Sequence, residues 1–487
     1  MSDEIAFLPA HELALRIRRG ELSSLELLEL YLARIARYNP KVNAVVAFDT
    51  ERATRRARNA DAALARGESW GPLHGVPMTV KESFNLPGLA TTWGFETMRN
   101  NIAQEPALVV QRLMDAGAVV FGKTNVPVSL ADWQTFNPVY GTTSNPWDPA
   151  RIPGGSSGGS AAALAAGLTG LEFGSDIGAS IRNPAHYCGV WGHKPTWGVV
   201  PMSGQELPGG ENNDTMDLAV VGPMARSAFD LSLALDIAAS PLESMGPMGR
   251  LPAQWRDRGV PPTRCRVAMI YNDKQAEVDS SVQTALHELA GFLRSRGLQV
   301  VDDARPVDSA ESHEVYLHLL RAATGAKTSD ADFAEAIGAV REVSDEDLRY
   351  PARMWRGITT THRRWQQMDQ TREKLRRQWR DFFEKFDLLI CPVATTPAFE
   401  HNQKGERWER MVPVNGHQQP STDALFWAGY PTTVGLPATA VPLGLSAQGL
   451  PVGAQIVGPA FADPECLRFA QWLEREYHSF VAPPMGW

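Results

Sequence analysis

The sequence predicts an α/β protein, in which short buried strands alternate with helices. Residues 23–26 (Ser-Ser-Leu-Glu) form a capping-box pattern, and apolar residues then recur at helical spacing. Residues 76–80 and 118–121 are short apolar runs between turn-forming residues, as expected of buried strands. A second, Ala- and Arg-rich helix is predicted over residues 51–65, and a small-residue helix over residues 160–168. This alternation is typical of a sheet that is covered by helices.

The second half of the chain changes texture twice. Residues 240–385 are rich in Arg and Glu and are predicted to be mostly helical, in contrast to their flanks. Three further strands are predicted after them, at residues 386–392, 436–441 and 450–457. We therefore expect one domain over residues 20–475, built from both ends of the chain, with residues 240–385 as a more variable helical insert.

Composition narrows the class of protein. The 487 residues are 43% hydrophobic and 21% charged, as in ordinary globular proteins, and the formal net charge is −8. No basic stripe is present, so nucleic acid is not expected as a partner. No stretch approaches eighteen uninterrupted apolar residues, so a membrane is not expected either. The first twenty residues lack the continuous apolar segment of a secretory signal. The four cysteines are scattered without a CxxC pattern, which predicts reduced thiols in a cytoplasmic protein.

A pattern at residues 117–124 (GAVVFGKT) matches the phosphate-binding loop G-x-x-x-x-G-K-T. That loop needs flexible residues between its glycines and a helix after its lysine. Here the four intervening residues are Ala-Val-Val-Phe, and Pro127 would interrupt the helix. A buried strand is the better interpretation of this segment.

A second pattern, residues 313–318 (HEVYLH), resembles the zinc-binding motif H-E-x-x-H, but one extra residue separates His313 from His318. Residues five apart lie about 140° apart around a helix, so the two imidazoles cannot converge on one metal ion. We interpret them as surface residues of a helix. No other cluster has the spacing of metal ligands, and neither a metal nor a cofactor is expected.

The glycine-rich run at residues 154–160 (GGSSGGS) contains G-x-S-x-G, the nucleophile elbow of α/β-hydrolases. An elbow follows a strand, but three prolines within residues 145–153 exclude a central strand there. A flexible linker is the other alternative. The run is short and passes directly into an apolar helix, which favours a backbone that approaches other groups closely.

Two further segments carry candidate chemistry. Small residues precede Ser180, and the uncovered backbone N–H groups of such a turn can hold an oxyanion. Asp176 and Arg182 flank the turn and are predicted to form a salt bridge that fixes it. Lys81 ends a buried strand, where a lysine is either a solvated strand end or, when buried, a base that loses its charge readily.

Residues 154–160 (GGSSGGS), followed by residues 174–184 (GSDIGASIRNP), resemble the signature of the amidase signature family. Similar supporting segments are residues 75–81 (GVPMTVK), 122–125 (GKTN), 144–147 (SNPW), 189–196 (GVWGHKPT) and 449–458 (GLPVGAQIVG). The resemblance implies the amidase-signature fold, an α/β fold with a mixed, twisted central sheet covered by helices on both faces.

The resemblance also implies a Ser–cisSer–Lys triad. In it, Ser180 is the nucleophile, Ser156 is the bridging serine in a cis peptide bond, and Lys81 is the base. Backbone N–H groups around Ile177, Gly178 and Ala179 are expected to form the oxyanion hole. The expected supporting residues are Ser157, Ser175, Asp176 and Arg182.

The expected reaction is hydrolysis of a small aryl or alkyl amide, or of a carbamate, through an acyl-enzyme on Ser180, in a monomer or homodimer without a cofactor. An amidotransferase subunit that supplies ammonia to a tRNA-linked partner, an α/β-hydrolase-like esterase and a non-catalytic binding protein remain alternatives. Ala179 stands where glycine is commoner in the family, and its methyl is expected to narrow the acyl side of the pocket or tilt the nucleophile. The aromatic residues near the motifs either line the pocket or belong to the core: Trp133, Phe136, Tyr140 and Trp191.

Overall fold

A computed structural model describes residues 3–205, 213–239, 259–326 and 328–486. The helices are α1 (Ala10–Arg18), α2 (Ser24–Val42), α3 (Thr50–Ala65), α4 (Leu108–Asp115), α5 (Gly158–Ala165), α6 (Arg182–Cys188), α7 (Ala228–Ala238), α8 (Ser280–Ser295), α9 (Ser309–Gly325), α10 (Asp330–Arg341), α11 (Tyr350–Ile358), α12 (His362–Phe383), α13 (Leu425–Thr432) and α14 (Asp463–Glu476). The strands are β1 (Val45–Phe48), β2 (Pro77–Lys81), β3 (Val119–Thr124), β4 (Phe136–Asn137), β5 (Gly141–Thr142), β6 (Glu172–Asp176), β7 (Trp191–Lys194), β8 (Val220–Ala225), β9 (Arg266–Met269), β10 (Gln299–Asp302), β11 (Leu388–Pro392), β12 (Met411–Val414), β13 (His417–Pro420), β14 (Ala438–Leu445) and β15 (Pro451–Val457).

An eight-stranded central sheet has the order β10-β9-β11-β15-β14-β7-β8-β6. The first three of these strands run parallel to one another and the remaining neighbours are antiparallel, so the sheet is mixed. Every residue of β11 and β15 is buried, which requires cover on both faces of the sheet. The predicted α/β fold with a mixed central sheet is confirmed.

A smaller sheet with the order β1-β3-β2 carries the candidate base. Its strands β2 and β3 are parallel and buried along their whole length. Lys81 is the last residue of β2 and is fully buried, so it is not a solvated strand end. Residues 119–124 form β3 and not a phosphate loop; the Lys123 ammonium donates to the carbonyl oxygen of Ala90 at 2.6 Å.

The segment over residues 240–385 was predicted to be a mostly helical insert, and the prediction did not include strands in it. Its described residues, which begin at 259, contain α8 to α12, but they also contribute β9 and β10 to one edge of the central sheet. Both strands have only four residues, and the Arg- and Glu-rich helices around them hide so short an apolar signal.

His313 and His318 are buried, so their interpretation as surface residues is wrong. Both lie on α9, which packs against α11, α12 and α13 and is therefore covered even on its polar side. The His318 imidazole hydrogen-bonds the hydroxyl of Thr360 at 2.7 Å, and the His313 ring packs against Phe426 with a centroid distance of 5.8 Å.

Two features concern the environment of the chain. Within the described ranges, none of the helices combines the length and the apolar character that a membrane span requires. The four cysteines are all buried and unpaired: Cys188, Cys265, Cys391 and Cys466.

Candidate active site

The three residues of the predicted triad come from three different segments. Lys81 ends β2, Ser156 precedes α5, and Ser180 lies between β6 and α6. Helix α5 packs against β2, β6 and α6, and this packing brings the segments together. All three side chains are buried, and Ser156 and Ser180 line one cavity.

The Lys81 side chain is held by two serines. Its Nζ lies 2.7 Å from Ser156 Oγ and 2.9 Å from Ser175 Oγ. Burial lowers the pKa of Lys81 to about 7, although the charges of Asp176, Glu172 and Glu82 oppose the shift. A large share of this lysine is therefore neutral at neutral pH, which is the state that a base requires.

Gln205 fixes the direction of these bonds. Its Nε2 donates to Ser175 Oγ at 3.1 Å and to Ser83 Oγ at 3.2 Å. A hydroxyl oxygen can accept two hydrogen bonds, and Ser175 Oγ accepts one from Gln205 and one from Lys81 Nζ. The lone pair of a neutral Lys81 is then free to accept the proton of Ser156. Gln205 was missed because it lies outside the signature motifs.

The Gly155–Ser156 peptide bond is cis, and Asn183 anchors it. The Gly155 N–H donates to Asn183 Oδ1 at 3.0 Å, and Asn183 Nδ2 donates to the carbonyl oxygens of Gly155 and Ala179. A Cβ at Gly155 would overlap the carbonyl of Asp132, so this close approach requires glycine. Asn183 lies within the recognised motif, but no role was predicted for it.

The turn after β6 is fixed by a buried ion pair, as predicted. Arg182 Nε and Nη2 donate to the two carboxylate oxygens of Asp176 at 3.0 and 2.8 Å. Burial opposes ionisation of Asp176, but the Arg182 guanidinium outweighs it and lowers the pKa of that carboxyl. Arg182 Nη1 also donates to Gln455 Oε1 on β15 at 2.8 Å, which ties the turn to the central sheet.

Ser157 joins the two motif segments. Its backbone N–H donates to the carbonyl oxygen of Ser180 at 3.1 Å, and its Oγ lies 3.4 Å from the backbone N of Ser175. The predicted supporting residues therefore surround the triad.

The predicted oxyanion donors differ in their availability. The Ala179 N–H donates to Asp176 Oδ1 at 2.9 Å, so it is already engaged. Within the part of the chain that the structure describes, the N–H groups of Gly178 and Ser180 have no protein acceptor, and both residues line the cavity. Ile177 also lines it. The N–H groups of Gly178 and Ser180 are therefore better candidates to hold an oxyanion than the N–H group of Ala179.

Two aromatic side chains orient this loop through its carbonyl groups. The Tyr316 hydroxyl donates to the Ile177 carbonyl at 3.0 Å, and Trp133 Nε1 donates to the Gly178 carbonyl at 2.8 Å. In a trans peptide the N–H points away from the C=O of the same unit. Tyr316 thus sets the direction of the Gly178 N–H, and Trp133 turns the Ala179 N–H toward Asp176.

Ala179 does not narrow the pocket in the expected way. It is fully buried and is not among the residues that line the cavity. Its φ of +64° lies in the left-handed region, which costs a residue with a Cβ about 1–2 kcal/mol. This conformation explains why glycine is the easier residue at this position.

The cavity beside Ser180 has a volume of about 680 Å³ and an aromatic wall. Of the four aromatic residues considered from the sequence, Trp133 lines it, whereas Trp191 is fully buried in β7. Trp93 and Phe95 also line it. They were missed because they lie in the loop between β2 and α4, whose path the sequence does not determine.

Comparison with known proteins agrees with this geometry. A family model described as Amidase matches residues 26–467. The chain belongs to the amidase family. The chain is 33% identical to an acylamidase of Rhodococcus erythropolis over 96% of this chain and 95% of that protein. It is 32% identical to a glutamyl-tRNA(Gln) amidotransferase subunit of Moorella thermoacetica, over 98% of each.

The solved structure of 6-aminohexanoate cyclic dimer hydrolase complexed with substrate has a similar fold. Its TM-score is 0.79 at 27% identity, with 99% of both chains covered. Together these matches confirm the amidase-signature fold and identify an amidohydrolase that cleaves amide C–N bonds.

In this amidase, a Tyr316→Phe variant is expected to lower kcat by up to about 10-fold, the value of one hydrogen bond, with little change in KM. The ring packs closely against Gly429 and stays in place, so only the hydrogen bond to Ile177 is lost. Tyr31→Phe is the matched control, because Tyr31 is a buried tyrosine on α2 whose hydroxyl contacts Ala6. Steady-state kinetics on both variants test this; an unchanged kcat for Tyr316→Phe contradicts the orienting role.

Proposed function

We propose that this amidase hydrolyses small aryl or alkyl amides, or carbamates of similar shape, through an acyl-enzyme on Ser180. The observation that carries the proposal is the 2.7 Å contact between Lys81 Nζ and Ser156 Oγ, at the wall of a cavity that Ser180 also lines. A buried amine with a lowered pKa and two serines at one cavity form the parts of a proton relay that needs no histidine.

In the proposed cycle, neutral Lys81 accepts the proton of Ser156, and Ser156 accepts the proton of Ser180 as Ser180 Oγ attacks the carbonyl carbon. The tetrahedral oxyanion is stabilised by the N–H groups of Gly178 and Ser180. The proton returns through Ser156 to the amide nitrogen, the C–N bond breaks, and the amine leaves. Water then attacks the ester by the same relay and releases the carboxylic acid.

The cavity wall supports an apolar substrate body. Trp93, Phe95, Trp133 and Leu425 contribute apolar surface, and aromatic side chains bind flat apolar groups well. Similarity to an acylamidase agrees with this class. Similarity to amidotransferase subunits keeps ammonia release from glutamine as the alternative, although so small and polar an amide would leave most of a 680 Å³ cavity unfilled. A cytoplasmic monomer or homodimer remains the expectation from the sequence.

The test is a panel of matched substrates with the chain purified alone: an anilide, an alkyl amide, a phenyl ester and a phenyl carbamate, together with glutamine. We expect equal amounts of amine and acid from the anilide, and no products with Ser180→Ala. With hydroxylamine present, the amide and the ester of one acyl group should give the same ratio of hydroxamate to acid, because both pass through one acyl-enzyme. Hydrolysis of glutamine without hydrolysis of the anilide would favour the amidotransferase alternative.

A further inference from the structure

A buried arginine on α9 lines the substrate cavity without a counter-ion. Arg321 is 7% exposed, and its Nε is buried without a hydrogen-bond partner. Among the described residues it forms no ion pair with a carboxylate; its guanidinium interacts instead with Tyr350, whose ring centroid lies 5.3 Å away. A buried cation without an anion is costly, so such a group in a binding cavity indicates an anionic ligand.

A second guanidinium lies at the same place. Arg407 also lines the cavity, and its Nε is likewise buried without a partner, whereas its Nη1 donates to the carbonyl of Ala131. Burial, together with the nearby charge of Arg407, lowers the pKa of Arg321 to about 10, a value at which it is still charged at neutral pH. The two like charges repel each other, and an anion bound near both would offset that repulsion.

Among the described residues, the acidic side chains of the cavity wall bond to groups other than Arg321 and Arg407. Asp132 pairs with Arg410, Asp176 with Arg182, Asp217 with Arg372, and Asp332 accepts a hydrogen bond from Ser329. Within the described ranges, neither Arg321 nor Arg407 therefore forms an ion pair with a carboxylate of the cavity wall.

Helix α9 connects Arg321 with the loop beside Ser180. Tyr316, on the same helix, contacts the loop that holds the candidate oxyanion donors. Arg321 is five residues farther along, which is about 7–8 Å along the helix axis. Arg321 and Arg407 also line a side chamber of about 60 Å³ that adjoins the cavity, enough space for a small charged group.

We infer that Arg321 and Arg407 form a subsite for a carboxylate of the substrate. This amidase would then prefer amides in which a carboxylate is separated from the scissile bond by an apolar spacer. A guanidinium matches the two oxygens of a carboxylate, and the aromatic wall near Trp133 matches the spacer. The inference deepens the proposed function and rests on it.

Matched substrates test the subsite. Hexananilide is the neutral reference; adipic acid monoanilide carries the carboxylate on the acyl side, and 4-hexanamidobenzoate carries it on the amine side. We expect kcat/KM for one charged substrate to exceed that of hexananilide by about 10- to 100-fold, through a lower KM. In Arg321→Gln this preference should disappear because KM rises for the charged substrate. The ratio of kcat/KM between the charged substrate and hexananilide is taken within each variant, so that a general change in activity cancels. Arg407→Gln should show a smaller loss in the same direction.

The outcomes separate the two proposals. Hydrolysis of hexananilide without preference for either charged substrate would overturn the subsite and leave the proposed function intact. If wild type hydrolyses no anilide, the proposed function fails. Calorimetric titration of Ser180→Ala with adipate then tests the subsite alone. Adipate affinity that does not change when Arg321→Gln is added to Ser180→Ala would overturn the subsite. Should Arg321→Gln fail to fold, Arg407→Gln and the charge-retaining Arg321→Lys provide the same comparison. A lysine at this position loses its charge as pH rises through about 10, so the preference for the charged substrate should then weaken. The subsite would be overturned if Arg407→Gln kept the full preference and Arg321→Lys kept it both below pH 8 and above pH 10.

Discussion

Replacement of Ser180 by alanine is expected to reduce amide hydrolysis on the order of 10⁴- to 10⁶-fold, because the reaction loses its nucleophile. The ion pair of Asp176 with Arg182 and the bond from Ser157 to the Ser180 carbonyl do not involve the Ser180 hydroxyl. The variant should therefore fold normally and retain its substrate cavity. Steady-state kinetics, with substrate binding measured separately, should show a loss in kcat and an almost unchanged affinity.

Ser160→Ala is the matched control for this loss. Ser160 is a fully buried serine, the last residue of the run at residues 154–160, but its Oγ hydrogen-bonds Thr124 Oγ1 at 2.9 Å, outside the triad. We expect it to lose about 1 kcal/mol of unfolding free energy and to keep its kcat within a small factor. A fluorophosphonate should add its mass to wild type and to Ser160→Ala but not to Ser180→Ala. An adduct mapped to another residue would refute the assignment of the nucleophile.

The sequence was sufficient for those parts of the molecule that depend on short, contiguous signals. The capping box at the start of α2 is present, with Glu26 N–H donating to Ser23 Oγ at 3.0 Å and Ser23 N–H donating to Glu26 Oε2 at 2.9 Å. The salt bridge between Asp176 and Arg182 was likewise predictable, because both residues belong to one turn. Local hydrogen bonds of this kind need no knowledge of the rest of the fold.

The residues that the sequence missed reach the site by tertiary packing. Tyr316 and Arg321 lie on α9, more than a hundred residues from Ser180, in the segment that was predicted to be a more variable insert. Gln205 follows the motifs in an irregular segment, and Arg407 precedes β12. No periodicity or spacing marks such side chains, since their role depends on where α9 and the loops pack. For the same reason His318 was misplaced: a polar helix was assumed to face solvent, although three other helices cover it.

The second large effect is expected for Lys81→Met, which should lower kcat by about 10²- to 10⁴-fold, the usual contribution of a general base. Its pH dependence is the sharper test. The relay requires neutral Lys81, and the neutral fraction grows as pH rises through the pKa of about 7. In wild type, kcat/KM should therefore fall about tenfold for each pH unit below 7 and level off above it. In Lys81→Met this acid limb should be absent.

The carboxyl groups around Lys81 are consistent with a lowered lysine pKa and hence with a loss of activity below pH 7. Burial raises the pKa of Glu172 to about 8, so part of this carboxyl is protonated as Lys81 titrates, and its opposition to the lowered pKa of Lys81 weakens accordingly. Asp176 stays ionised beside Arg182, and its charge, together with that of Glu82, favours the protonated lysine without cancelling the effect of burial. The acid limb should thus lie well below the ordinary lysine pKa near 10.4.

Lys123 provides the matched control for this titration. It is also fully buried, lies opposite Val80 on the adjacent strand β3, and has its pKa lowered to about 8 by burial, but its Nζ bonds the carbonyl of Ala90 and the hydroxyl of Thr91. Lys123→Met should lower thermal stability, because it leaves these groups without their donor. When the activity of Lys123→Met is expressed per active site, counted by titration with a fluorophosphonate, its kcat/KM should still fall below pH 7 as in wild type. If Lys123→Met removed that limb and Lys81→Met preserved it, the base would have to be reassigned. Burial lowers the pKa of both lysines, and Lys81 is the one whose Nζ contacts Ser156.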